Sequence, residues 1–393
     1  MPAAAPAFDA AEYARRLAAT RAAMAARGLA ALFLEDPSNM AWLTGYDGWS
    51  FYVHQGVVIP AAGDPVWWGR AQDAAGACLT VWMDDDRVRP YGEHYIQTDD
   101  RHPMQDLAGL LTDLGLAKAR IGVELENYYY SAKAHITLTE ALPSASLEDA
   151  TALVNLARAV KSAPELALMR AAARITEAAM QTAVDGIAPG RPKNALVAEI
   201  FATQIRGTEN QWGDYPAIVP LQPTRRDAGA PHLTWDGRPF RSGEATFFEL
   251  SGCVRRYHAP FCRTVHLGPP PADMERAAEA VAEGIEDGLA AARPGAPAGD
   301  VARALRASLA KRGLERDARC GYPIGLSYPP DWGERTLSFR ETEERVLEPG
   351  MTFHFMPGLW TPDWGLEITE TILIREDGPA ECLTTWDRSL IVK

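Results

Sequence analysis

Apolar residues recur every three or four positions through "FDAAEYARRLAATRAAMAARG" (8–28), the period of a helix with one buried face, and Gly28 supplies its stop. "LAALFLE" (29–35) is a short continuous apolar run and predicts a buried strand. "FYVHQGVVI" (51–59), "PVWW" (65–68) and "RIGVEL" (120–125) predict further strands, and 102–115 and 131–142 predict helices. Strands alternating with helices over about 150 residues indicate an α/β domain.

The pattern changes near 150–165, where two helical stretches are separated at Ser162-Ala163-Pro164. Ser162 with Glu165 three residues on has the spacing of a capping box, and Pro164 suits a first helical turn. The domain boundary is therefore expected at 158/159, giving domains 1–158 and 159–393. Beyond it, helices are predicted at 193–206, 272–292 and 299–313, with strands at 245–268 and a strand-rich tail. Long helices followed by grouped strands indicate an α+β domain with antiparallel sheet.

Composition narrows the function classes. Fifty-two acids against 39 bases give a net charge of -13 over 393 residues. That balance argues against a nucleic-acid partner, which needs a basic stripe. No apolar run approaches the length of a membrane helix. The N-terminal "MPAAAPAFDAAEYARR" lacks the basic start and apolar core of a signal peptide, so a cytoplasmic location is expected. Five scattered cysteines without a C-x-x-C argue for a reducing compartment and against a zinc knuckle.

Candidate chemistry comes from the second half. "RAVKSAPELALMRAAARI", "APHLTW" (230–235), "FFELSGCVRRYHAPFCRTVHLG" (247–268), "GYPIGL" (321–326), "LEPGMTFHFMPG" (347–358) and "GLEITETILI" (365–374) follow one another in an order that resembles the creatinase/aminopeptidase P/prolidase superfamily. The resemblance implies a creatinase-type α/β N-terminal domain and an α+β pita-bread catalytic domain. Metal-dependent members of that superfamily hold two divalent ions with two Asp, one His and two Glu. Those five positions fall on Glu249, Pro260, Tyr322, Met356 and Thr369, although Glu367 and Glu370 flank Thr369 and His354 lies two before Met356. Proline has no side-chain donor and methionine offers only a soft thioether, so neither a metal nor another cofactor is expected.

Within the superfamily, "NMAWLTGYDGWSFYVHQ", "APHLTWDGRPF", "GYPIGLSYPPDWGERTLS" and "LEPGMTFHFMPGLW" resemble the metal-free ectoine hydrolases. That resemblance implies a small-molecule substrate, ectoine or hydroxyectoine, whose cyclic amidine is opened to N-acetyl-2,4-diaminobutyrate. It also implies a homodimer, and a deacetylase as a further partner enzyme. An amidinium is a planar cation, which carboxylates bind through paired charge-assisted hydrogen bonds and aromatic faces through cation–π contacts. The catalytic candidates are His232 as proton shuttle, Glu249 as base or nucleophile, and Glu370 holding the amidinium nitrogens. The substrate-binding candidates are Tyr46, Trp49, Phe51, His258, Tyr322, Trp360 and Glu367. Arg70 or Arg263 would hold the substrate carboxylate, because Val53 stands where creatinases carry their arginine.

Overall fold

Strand order decides where the first half of the chain places its apolar residues. The computed structural model describes residues 6–393, so the first five residues of the N-terminal stretch lie outside the described range. The chain divides into two compact units, Met1–Arg158 and Ala159–Lys393.

The first unit is built on a six-stranded mixed sheet. Its strands are β1 (Ala31–Leu34), β2 (Gly56–Pro60), β3 (Val66–Arg70), β4 (Val88–Tyr91), β5 (Arg120–Val123) and β6 (Ser146–Asp149), in the order β4-β3-β2-β1-β5-β6. β1 lies between antiparallel β2 and parallel β5, with all four residues buried. Covering both faces of a strand requires an unbroken apolar run, which is what "ALFL" supplies. Its side chains alternate between two cores: Leu32 and Leu34 join Trp42 and Trp67 on one face, Ala31 and Phe33 join Trp68 and Met104 on the other.

Helices α1 (Ala10–Ala26), α2 (Pro37–Thr44), α3 (Ala71–Thr80), α4 (Pro103–Asp113), α5 (Ala132–Ala141) and α6 (Leu153–Arg158) complete the unit. Asp9 caps α1 by accepting from Glu12 N at 2.9 Å. Two local differences from the sequence pattern have clear causes. Periodicity does not indicate α2 because all eight of its residues are buried, so it has no polar face to set a period. The strand expected from residue 51 begins at Gly56, with residues 51–53 in a turn.

Two candidates in this unit are corrected. Tyr46 is a core residue, 3% exposed, with its hydroxyl donating to Gln55 Oε1 at 2.7 Å and its ring tilted against Trp67. Arg70 presents Nε to Glu93 at 2.8 Å and Nη1 to the Tyr52 hydroxyl at 2.9 Å, and Nη2 also meets Glu93, so its fork is already filled. Trp49 and Phe51 meet edge to face at 4.6 Å, and Trp49 is exposed.

The second unit carries α7 (Ala163–Gly186), α8 (Lys193–Arg206), the hairpin β7 (Ala245–Val254) and β8 (Tyr257–His266), then α9 (Ala272–Ala291) and α10 (Gly299–Lys311). Ser162 N donates to Glu165 Oε2 at 2.8 Å, forming the capping box that starts α7. Arg255 and Arg256 both have positive φ, which gives the hairpin turn the twist its strands need. α7 lies directly on β7: a Cβ at Gly252 would sit 2.3 Å from Ala172 O. The later strands are short: β9 (Gly321–Pro323), β10 (Thr352–Phe355), β11 (Gly358–Trp360), β12 (Gly365–Glu367), β13 (Glu370–Leu373), β14 (Glu381–Cys382) and β15 (Ile391–Val392). They form the antiparallel sheet β14-β13-β10-β9, the pair β11-β12, and β15 added parallel to β8. The chain thus combines an α/β unit with an α+β unit. Among the described residues, no helix is long and apolar enough to cross a membrane.

Candidate functional site

Register brings the acids together. Glu249 on β7 stands opposite Cys262 on β8, so both side chains leave the hairpin on one face, as do the Ser251–Pro260 and Cys253–His258 pairs. A third segment runs along β8. Glu367 N donates to Thr264 Oγ1 at 2.8 Å, Thr264 Oγ1 donates to Glu367 O at 2.9 Å, and Thr369 N donates to Cys262 O at 3.2 Å. β10 and β9 add His354 and Tyr322, which pair directly across their ladder.

A hydrogen-bonded chain crosses this face. Trp332 Nε1 donates to the Tyr322 hydroxyl oxygen at 2.8 Å, which leaves that hydroxyl to donate to His354 Nδ1 at 3.0 Å. His354 Nε2 then meets Thr369 Oγ1 at 2.7 Å. Glu249 Oε1 lies 3.8 Å from His354 Nδ1. Burial lowers the His354 pKa to about 3, so the ring is neutral.

The two carboxyls are proton-hungry. Burial raises Glu249 to about 7. Burial and the nearby Glu249 raise Glu367 well above the carboxylate range, with Arg316 opposing them. Two buried acids of which one raises the other share protons rather than both ionising at neutral pH. Both Glu367 oxygens lack a hydrogen-bond partner among the described residues, as do Trp360 Nε1 and Arg316 Nε. Buried polar atoms are normally satisfied, so four such atoms in one region mark a place prepared for a polar ligand. The Arg316 guanidinium lies 4.8 Å over the Trp360 ring, tying two of them together.

His258 adds a fifth. Its Nε2 accepts from Ala217 N at 2.9 Å, and burial lowers its pKa to about 3. The neutral ring therefore carries its proton on Nδ1, which has no partner among the described residues. The Trp332 ring is about 6 Å from both the His258 and the His354 rings.

The structure thus brings together Glu249, Glu367 and Tyr322, with Trp360 and His258 carrying unpartnered donors. Three others are engaged or placed elsewhere. Glu370 is occupied by the chain's own cations: it accepts from Arg263 Nη2 at 2.6 Å, Arg388 Nε at 3.0 Å and Thr384 Oγ1 at 2.6 Å, which corrects its assignment to the amidinium. Arg263 is likewise consumed, donating also to the carbonyls of Thr369, Cys262, Trp386 and Asp387. His232 sits exposed in the irregular segment 230–235, without a hydrogen bond among the described residues. Sequence reasoning did not assign His354 or Arg316 a role. His354 had one available signal, an ionisable residue inside the buried strand "TFHF"; Arg316 in "GLERDARC" had none.

The sequence profile of the creatinase/prolidase N-terminal domain matches residues 16–160, and that of metallopeptidase family M24 matches residues 167–376. The chain belongs to family M24. An ectoine hydrolase from Halomonas elongata is 54% identical over 393 residues, 98% of each chain. The dipeptidase PepE of Mycobacterium ulcerans superposes with a TM-score of 0.79 at 26% identity, covering 98% of this chain and 99% of its own. The prolidase of Thermococcus sibiricus shares the fold, with a TM-score of 0.84 at 19% identity and coverage of 98% and 100%.

The metal centre implied by the M24 family name does not fit the residues present. No group of three or more His, Cys, Asp or Glu side chains among the described residues is arranged to hold an ion. The face offers Pro260 beside Glu249, and both nitrogens of His354 are engaged by Tyr322 and Thr369. A pair of divalent cations needs several hard donors at once, which this face lacks.

Proposed function

We propose that this chain is a metal-independent hydrolase that opens the cyclic amidine of ectoine to N-acetyl-2,4-diaminobutyrate. The observation that carries this reading is the 54% identity with an ectoine hydrolase across 98% of both chains, joined to a buried acid pair in which both Glu367 oxygens lack a partner among the described residues. An amidinium suits such a pair: its charge offsets the carboxylates, and its N–H groups supply the donors Glu367 lacks. Trp360 and Tyr322 give the flat ring apolar walls.

Glu249 acts at the amidine carbon, as base toward water or as nucleophile. As base, it takes a proton from the attacking water and returns it to the departing nitrogen, leaving an amide and an amine. Neutral His354, polarised by Tyr322, stands beside Glu249 to steady that proton. His232 enters only if its segment folds inward, and His232→Ala measures that contribution. Hydroxyectoine, with the same amidine, is a second substrate in this reading. The enzyme works as a cytoplasmic homodimer, and its N-acetylated product is the substrate class of a deacetylase.

The test is incubation of chelator-treated protein with ectoine, followed by proton NMR. Loss of the ring signals with growth of an acetamide methyl signal supports the reading. Untouched ectoine, with activity on a dipeptide restored by added divalent metal, overturns it.

A further inference from the structure

A cleft of about 310 Å³ in the second unit gathers Lys193, Arg225, Arg226, Arg238 and Arg241. This is an unusual concentration in a chain with a net charge of -13. Two acids, Asp227 and Glu244, also line it. Arg238 is neutralised, pairing with Asp227 at 2.6 Å and with Asp236 at 2.5 Å. Arg225, Arg226 and Arg241 form no ion pair among the described residues.

Solvated arginines alone would be an ordinary surface. Two features set this cleft apart. The Lys193 side chain is only 6% exposed, and its ion pair is a long 3.6 Å contact to Asp236, which Arg238 already holds. With its stem buried and its ammonium so loosely matched, Lys193 presents a positive charge to the cleft. Arg225 has φ 57, in the left-handed region that a long side chain rarely adopts, and it lines the cleft.

We propose that this cleft binds a small oxyanion with two negative charges. Arginine forks bind the oxygens of such anions in pairs, and Lys193, the first residue of α8, adds a point charge where that helix begins. The cations come from both ends of one segment: Arg225 and Arg226 precede 230–235, and Arg238 and Arg241 follow it. A bound dianion bridges those ends and holds the intervening loop, including His232, in one arrangement. The clamp also abuts the strand that carries Glu367, because a Cβ at Gly365 on β12 would fall 1.9 Å from Ala228 O in the Arg225–Gly229 turn. This inference does not depend on the ectoine reading.

Inorganic phosphate and succinate are titrated into the full-length protein by calorimetry at constant ionic strength, with sodium chloride as control. Hydrogen exchange over 224–241 is followed in parallel. The expected result is saturable one-to-one binding of phosphate or succinate and slowed exchange in that segment. Arg226→Ala with Arg241→Ala should weaken binding at least about tenfold while the melting temperature without anion is kept. Lys193→Met, which keeps the buried stem and removes the charge, should do the same. Stronger binding of phosphate than succinate assigns the site to tetrahedral anions, and the reverse assigns it to dicarboxylates. An effect no larger than that of chloride, or one retained in the double variant, overturns the proposal.

Discussion

Glu249 Oε1 lies 3.8 Å from His354 Nδ1, the same nitrogen that the Tyr322 hydroxyl meets at 3.0 Å. Tyr322 therefore competes with Glu249 for one acceptor, and its donated proton discourages the ring from donating toward Glu249. Tyr322→Phe frees Nδ1 to carry the proton and point it at the carboxylate. The expected outcome is a lower Glu249 pKa, seen as a shift of the acid limb of kcat/KM to lower pH. His354→Phe should remove that shift and lower kcat by about 10²-fold or more.

The acid pair sets the pH dependence. With Glu249 raised to about 7, the ionised form required of a base is lost below that value, so kcat/KM should fall about tenfold per pH unit there. Glu249→Gln should abolish turnover. Stability has the opposite sign. A carboxyl whose folded pKa is raised favours the fold fully below its ordinary value near 4.5, and that advantage is lost as pH rises through about 7. The apo protein should therefore lose up to about 3 kcal/mol from this one group on going from pH 4.5 to pH 8, and Glu249→Gln should melt higher than the parent at pH 8. Urea melts across that range measure both effects.

A cationic substrate entering a partly protonated acid pair must displace a proton. Calorimetric titration of ectoine into Glu249→Gln and into the parent near pH 7, in buffers of different ionisation enthalpy, should show proton release for the parent. The release should shrink in the variant, leaving only the Glu367 contribution.

Glu370 is expected to matter for the fold and not for the substrate. It neutralises Arg263, which is fully buried, and Arg388. Glu370→Ala should cost about 3–5 kcal/mol in urea unfolding, because it strands a buried guanidinium. In material that still folds, KM for ectoine should be unchanged.

Chelation separates the proposed chemistry from that implied by the M24 family name. Ectoine turnover should be the same before and after dialysis against a strong chelator, and added manganese or zinc should not raise it. Elemental analysis of the purified protein checks the same point directly.

Periodicity and local signals read from residue order established much of the fold. The helix Lys193–Arg206, the capping box at Ser162, the buried strand "ALFL" and the change from α/β to α+β character all follow from interactions within a few residues. The acid Glu249 was legible too, because a carboxylate inside "ATFFELSGC" is anomalous wherever that strand goes. What residue order could not show was which of three glutamates is satisfied. Glu367 and Glu370 are three residues apart on one stretch and both are about 1% exposed. One meets arginines from distant segments, while the other meets no donor among the described residues. That difference, like the pairing of His354 with Tyr322 across β10 and β9, is decided by strand register and by side chains arriving from more than a hundred residues away as well as from nearby. Local sequence sets propensity and burial; only the packed sheet decides whose charge each buried carboxylate will meet.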